Sequence, residues 1–248
     1  MFVRQRPSKK RADPERPLFR GEAVTVCIAA VSRALNQVIA ISDTMISSDE
    51  TSVEGVCKSA CLSANGPWLL MYAGIASDAK PLIRRIGDHI KNGSAVTAAK
   101  VVAACEQAYQ VELLKRVESE VLLPYGMTRE EFFAAGRERF GEYKFNAITD
   151  RIEQTTTNVA LLIAGFDEAG DSRIFEVDTC GIVKEQPLDY HAIGAGRSVA
   201  LGMLYQVHGF ILSDSLSEVL YRLLAAKFAA EPYAISWEGH VHSCYEPR

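Results

Sequence analysis

The periodicity of apolar residues changes in blocks along this chain, and that block order is what most limits the folds open to it. TVCIAAV (25–31) and QVIAIS (37–42) read as strands around the polar SRALN turn. Two more strand candidates follow, KSACLS (58–63) and WLLMYAG (68–74), with Asn65-Gly66-Pro67 turning between them. From Asp78 to Ile90 the period becomes helical, with Leu82, Ile83, Ile86 and Ile90 on one side. Gly93 breaks that helix. Ser94 can cap a second one running to about Leu114 or beyond, with Val96, Ala99, Val102 and Ala103 as its apolar stripe. A capping box, Thr128 with Glu131, starts a third helix inside a helical excursion over about 119–154. Strands return at TTTNVALLIAGFD (155–167), RIFEVDTCG (173–181) and near 190–195. A helix from about Arg197 to Tyr205 follows, and a Ser215/Glu218 capping box precedes a last helix carrying Leu216, Val219, Leu220 and Leu223.

Strands grouped in blocks do not build the alternating strand–helix units of a doubly wound sheet or a barrel. They predict an α+β chain, a four-layer α-β-β-α sandwich in which two antiparallel sheets face each other and a helix pair covers each outer face. Nearly half of the 248 residues are apolar, enough for one sizeable core. Residues 1–24 hold seven Lys/Arg against three Asp/Glu and three prolines, which reads as a disordered leader or a mis-assigned start. Residues 25–248 read as a single domain.

The leader's net +4 leaves −8 for the remainder, which argues against a nucleic-acid partner. No apolar run approaches the roughly 20 residues needed to span a bilayer, and no signal-peptide pattern is present. Cytoplasm is the expected compartment. The six cysteines read as buried thiols, Cys27 among them as core packing. A zinc site from Cys57, Cys61, His240, His242 and Cys244 lacks the usual paired spacing, so no metal or cofactor is expected. His89, His191 and His208 have no Ser or Asp partners at a recognisable spacing, and the glycines of GAGR and IAGFDEAGD form no phosphate loop.

Six segments carry a family resemblance: TVCIAA, QVIAISDTM, the Lys58 segment, LLMYAGIASDAKPLIRRI, NVALLIAGFDEAGDSRIFEVDTCG and HAIGAGRSVALGML. Their order and spacing over 25–92 and 156–206 resemble the proteasome-type branch of the N-terminal nucleophile hydrolases, and within it the bacterial β-subunit-like proteins. The resemblance implies amide hydrolysis by an N-terminal threonine. It makes Thr25 the nucleophile, Asp43 and Lys58 its partners, and the Gly74 backbone N–H the donor to the oxyanion. It also implies a peptide or unfolded-protein substrate and a homo-oligomeric ring or spiral, with no ATPase partner identified. Met45, Cys57 and the Met71 neighbourhood fall where the family shapes its side-chain pocket.

The chemistry explains the residue types. A threonine hydroxyl needs a base near neutrality, and a free α-amino group titrates at about 7.7–8.0 within reach of its own side chain. A lysine beside an aspartate stays charged and lowers the hydroxyl's pKa.

The chain departs from the family pattern in three places. Ala195 stands where the family usually has a serine near the threonine amine. EPYAISWEGH replaces its Asp-x-x-Ser-Gly-Gly turn, with Glu231 and Ser236 as weak substitutes. The segment after Ala230 has room for a single closing strand. Thr25 is also preceded by Val24. A start at Val24, translated as Met and then removed, would expose the threonine amine. The expectation is thus a threonine-type peptidase where Thr25 is the mature N-terminus. The alternatives are an inactive ring or scaffold subunit and a small-amide hydrolase of the same class.

Overall fold

The computed structural model describes residues 25–32, 36–43, 46–47, 52–53, 57–62, 68–91, 96–206, 215–230 and 239–244. The leader at 1–24, the turn tip at 33–35, Met45, Ser94, His208, Glu231 and Ser236 lie outside the described residues. The strands are β1 (Cys27–Ser32), β2 (Gln37–Asp43), β3 (Ile46–Ser47), β4 (Ser52–Val53), β5 (Ser59–Cys61), β6 (Leu69–Gly74), β7 (Val159–Phe166), β8 (Ser172–Val177), β9 (Val183–Glu185), β10 (Tyr190–Ile193) and β11 (Gly239–Cys244). The α-helices are α1 (Ala76–Lys91), α2 (Ala98–Arg116), α3 (Arg129–Glu153), α4 (Arg197–Tyr205) and α5 (Leu216–Ala230).

Two antiparallel sheets form, one in the order β10-β1-β2-β11 and one in the order β5-β6-β7-β8-β9. A short β3-β4 ribbon stands apart. Their strands are apolar on both faces because both faces are covered, and this is why the sequence shows continuous apolar runs instead of alternation. Ile28, Ala30, Ile39, Ile41, Tyr190 and Ala192 pack on Leu204 of α4 and Val219 and Leu223 of α5. Cys27, Ala29, Val31 and Ala40 face Leu69, Met71, Leu162 and Ala164 across the inter-sheet space. Leu70, Tyr72, Leu161 and Ile163 pack outward on Leu82 and Ile86 of α1 and on Ala104 and Ala108 of α2. The four layers are therefore helix pair, sheet, sheet, helix pair, as the block order predicts.

Four local expectations are corrected. The buried stripe of α2 is Val101, Ala104, Cys105, Ala108 and Tyr109; of the expected residues Val96 and Val102 pack at its edge, and Ala99 and Ala103 are exposed. Alanines weigh little in setting a helix's phase, and Tyr109, whose hydroxyl donates to the Val159 carbonyl at 2.9 Å, sets it instead. The cap of α2 is Thr97, which accepts from the Lys100 N–H. Among the described cysteines, Cys27 and Cys105 are buried but Cys57, Cys61 and Cys180 are exposed. In α5 the buried face is Val219, Leu223, Ala226 and Ala230, with Leu216 exposed at its first turn.

The excursion between the halves is helical apart from a turn at residues 126–128. After α2 the chain continues through a π turn at Val117–Leu122 and a 3₁₀ turn at Leu123–Tyr125 into α3. The Thr128/Glu131 box caps α3 with both reciprocal bonds. Gly141, at φ 74°, kinks the helix. Val117, Val121, Leu122, Phe132 and Ile148 give this projection a small core of its own.

Candidate active site

Thr25 lies just before β1, and Asp43 closes β2 beside it. The hairpin register fixes this pair. The Asp43 N–H donates to the Val26 carbonyl at 3.2 Å, and the Val26 N–H donates to Asp43 Oδ2 at 3.3 Å. Lys58 comes from the other sheet, just before β5. Its carbonyl accepts from the Tyr72 N–H at 3.0 Å, which anchors its backbone on β6. Its ammonium crosses the gap, donating to Thr25 Oγ1 at 2.9 Å and to Asp43 Oδ1. Residues 33 and 15 positions apart in sequence thus meet in one pocket. Thr25 and Asp43 are each 5% exposed and Lys58 is 1% exposed.

Burial pushes the Asp43 carboxyl above its ordinary range. The Lys58 charge and hydrogen bond, the Val26 N–H and the charge of Lys227 act against that push. Lys227, on α5, is a second buried cation whose field reaches Asp43, and the sequence analysis missed it. Cys27 sits one residue into the same site, but burial, with Asp43 adding to it, drives its thiol far up the scale. It remains a protonated donor to the Tyr72 carbonyl at 3.3 Å and packs in the inter-sheet core.

Three glycine positions shape the site. Gly194 follows β10 at φ 96°, and a Cβ there would lie 1.9 Å from the Thr25 carbonyl oxygen and 3.5 Å from Ala73 Cβ. Only glycine lets the turn close on Thr25 this tightly. Gly196 abuts Val26 in the same way, with a Cβ at 2.3 Å from its Cγ2. Ala195 between them is exposed and brings no hydroxyl. Gly74 ends β6 at φ 113° and is exposed. A Cβ there would meet the Asn158 carbonyl at 2.0 Å.

A second polar cluster lies in the inter-sheet layer. Glu176 of β8 receives His191 of β10 at 2.9 Å and Arg197 of α4 at 2.5 Å. Burial, and then the Arg197 charge, lower the His191 pKa, while Glu176 opposes them. The sequence analysis left His191 without a partner, because no local spacing signals a contact made across two sheets.

Among the described residues no three His, Cys, Asp or Glu side chains come together as metal ligands, and the side chains of His240, His242 and Cys244 lie outside them. Among the described residues no helix is long and apolar enough to cross a membrane.

Comparison with curated proteins gives no match. A family model described as "Proteasome subunit" matches residues 142–218, from within α3 through β7–β10 and α4 to the start of α5. Thr25, Asp43 and Lys58 lie outside that matched span.

Proposed function

We propose that this chain, which a proteasome-subunit family model matches over residues 142–218, is a proteasome-type threonine peptidase once Thr25 is its first residue. The Thr25 α-amino group then takes the hydroxyl proton, directly or through a water, as Oγ1 attacks a substrate carbonyl carbon. The C=O π bond opens to an oxyanion that the Gly74 backbone N–H meets. The C–N bond breaks, the leaving amine takes the proton from the α-ammonium, and an acyl-threonine ester remains. A water, deprotonated by the α-amino group, hydrolyses the ester and returns the hydroxyl. The Lys58 ammonium beside Oγ1 favours its alkoxide character, and Asp43 holds that ammonium in place.

The observation that carries this reading is the Lys58 ammonium, buried and donating to both Thr25 Oγ1 and Asp43. The substrates on this reading are peptides or unfolded segments, and the protein works in the cytoplasm as a homo-oligomeric ring or spiral. Ala195 favours a second reading, an inactive ring subunit, because it leaves the threonine amine without a hydroxyl partner from that turn.

Two measurements separate these readings. Intact-mass analysis of protein from its native host reads whether Thr25 is the first residue, and a chain retaining Val24 there sinks the peptidase reading. With Thr25 exposed, a peptide panel is cleaved by the wild type and not by Thr25→Ala. Equal cleavage by both removes Thr25 as the nucleophile.

A further inference from the structure

Away from the Thr25–Asp43–Lys58 site, Glu176 and His191 bring buried polar groups into the largely apolar inter-sheet layer. Glu176 is the cross-strand partner of Leu162, and His191 that of Ala29, so both project between the sheets. The carboxylate is used fully: Oε2 meets His191 Nε2 at 2.9 Å and accepts from Gln186 Nε2 at 3.4 Å, and Oε1 accepts from Arg197 Nη1 at 2.5 Å. Apolar side chains of similar volume would fill this space with no loss of stability. What the polar cluster adds is a fixed position.

That position bears on the nucleophile. His191 lies three residues before Gly194 and Arg197 one residue after Gly196, so the two tethers bracket the turn that closes on the Thr25 carbonyl and on Val26. Within the turn, the Arg197 N–H donates to the Gly194 carbonyl at 3.0 Å, and Ala195 supplies no side-chain bond. The remaining side-chain ties run to Glu176 on the opposite sheet.

We propose that Glu176, His191 and Arg197 form an inter-sheet clamp that sets the Gly194–Gly196 turn against Thr25. Glu176 and Arg197 are thereby positioning residues for the nucleophile. The clamp rests on the reading of Thr25 as that nucleophile. It holds the threonine from behind, in a chain whose turn lacks a hydroxyl at 195.

The test uses mature protein with Thr25 verified as its first residue. The rate of Thr25 acylation by a β-lactone is read by intact mass and peptide mapping, beside urea unfolding of each variant. Arg197 is partly exposed, so Arg197→Ala leaves the protein folded. Its acylation rate falls about tenfold or more, as expected for a misplacement of an ångström or less. Glu176→Gln falls in the same direction, and Arg197→Lys recovers part of the loss.

Arg197→Ala and Glu176→Gln labelling at the wild-type rate, with Thr25→Ala unlabelled, overturns the clamp and leaves the nucleophile reading intact. A drop that follows the folded fraction and is not recovered in Arg197→Lys also overturns it. A wild-type protein that is not labelled at Thr25 overturns the nucleophile reading, and the clamp with it.

Discussion

Replacing Lys58 by methionine nearly keeps the volume of the side chain and removes its charge and its hydrogen bonds to Thr25 and Asp43. Asp43, 5% exposed, then loses its Lys58 partner in a pocket shared with Thr25. Breaking one partner of a buried pair costs about 3–5 kcal/mol, against about 0–1 kcal/mol for an exposed one. The lower end is expected here, because the Val26 N–H and the field of Lys227 still act on the carboxylate. Adding Asp43→Asn to Lys58→Met removes the stranded charge while its amide oxygen still accepts from Val26. The double variant therefore recovers about 2 kcal/mol of the loss. Trp68, buried and stacked on Phe175 at 5.9 Å, reports urea unfolding by fluorescence in a Trp237→Phe background.

The pH dependence has a definite sign. Burial already raises the folded pKa of Asp43, and Lys58→Met deletes the charge and hydrogen bond that oppose it, so the pKa rises further. A group with a raised folded pKa contributes stability that is full below its unfolded value and lost as pH rises through the folded one. The deficit of Lys58→Met is accordingly smallest within the ordinary carboxylate range and grows as pH rises above it. A deficit below about 1 kcal/mol at neutral pH, or one that is flat with pH, would mean that the pair is solvated, and would refute the dry pocket assigned to it.

Three further outcomes are expected. Gly194→Ala, with its Cβ placed 1.9 Å from the Thr25 carbonyl and φ at 96°, destabilises by about 3 kcal/mol and abolishes Thr25 acylation, whereas Gly202→Ala, in open space inside α4, raises the unfolding midpoint slightly and leaves labelling unchanged. His191 has a folded pKa lowered by burial, so its contribution is full above the unfolded value of about 6.5 and is lost as pH falls through that region; urea midpoints of His191→Gln lose that acid limb. Thr128→Ala opens the first turn of α3, seen as about fivefold faster amide exchange there, and leaves Thr25 labelling unchanged.

Long-period features of the fold were legible in the sequence because burial on both faces writes itself as apolar runs. VCIAAV, QVIAIS and NVALLIAGF became β1, β2 and β7, and the change of period after Gly74 became α1. Asp43 and Lys58 could be singled out only through the resemblance of their segments to the proteasome-type family, since an aspartate closing one strand and a lysine preceding another carry no such signal alone. Helix phase was poorly legible in α2, where alanine occupies both the buried and the exposed side. The Glu176–His191–Arg197 cluster was not legible at all. Its members are 15 and 21 residues apart, and they meet only through the register of β7 with β8, the register of β1 with β10, and the packing of one sheet on the other. Lys227 hid for a similar reason: on sequence it is one basic residue in the last turn of an amphipathic helix, and only the helix's placement buries it.

The Lys58–Asp43 pair bears on the choice between an active enzyme and an inert subunit. As a stabilising device a buried ion pair is a poor choice, because two charges leave water and an apolar pair of the same size would serve as well or better. A structural role therefore gives no reason for an ammonium at this position, and still less for one that also reaches a threonine hydroxyl. A nucleophile does give one: its hydroxyl needs a fixed positive charge that bulk solvent does not screen. Lys58 is supplied by one sheet and Thr25 and Asp43 by the other, so the charge arrives only when the sandwich is closed. Sliding one sheet on the other by a single residue would move it about 3.3 Å, far outside hydrogen-bond reach of Oγ1. The clamp at Glu176 ties the same two sheets together along the same inter-sheet face. Loosening it should therefore slow Thr25 through the Lys58 contact as well as through the turn. Combining Arg197→Ala with Lys58→Met tests that directly: if both act by way of Lys58, the double variant loses less acylation rate than the product of the two single losses, and independent losses that multiply would refute the link.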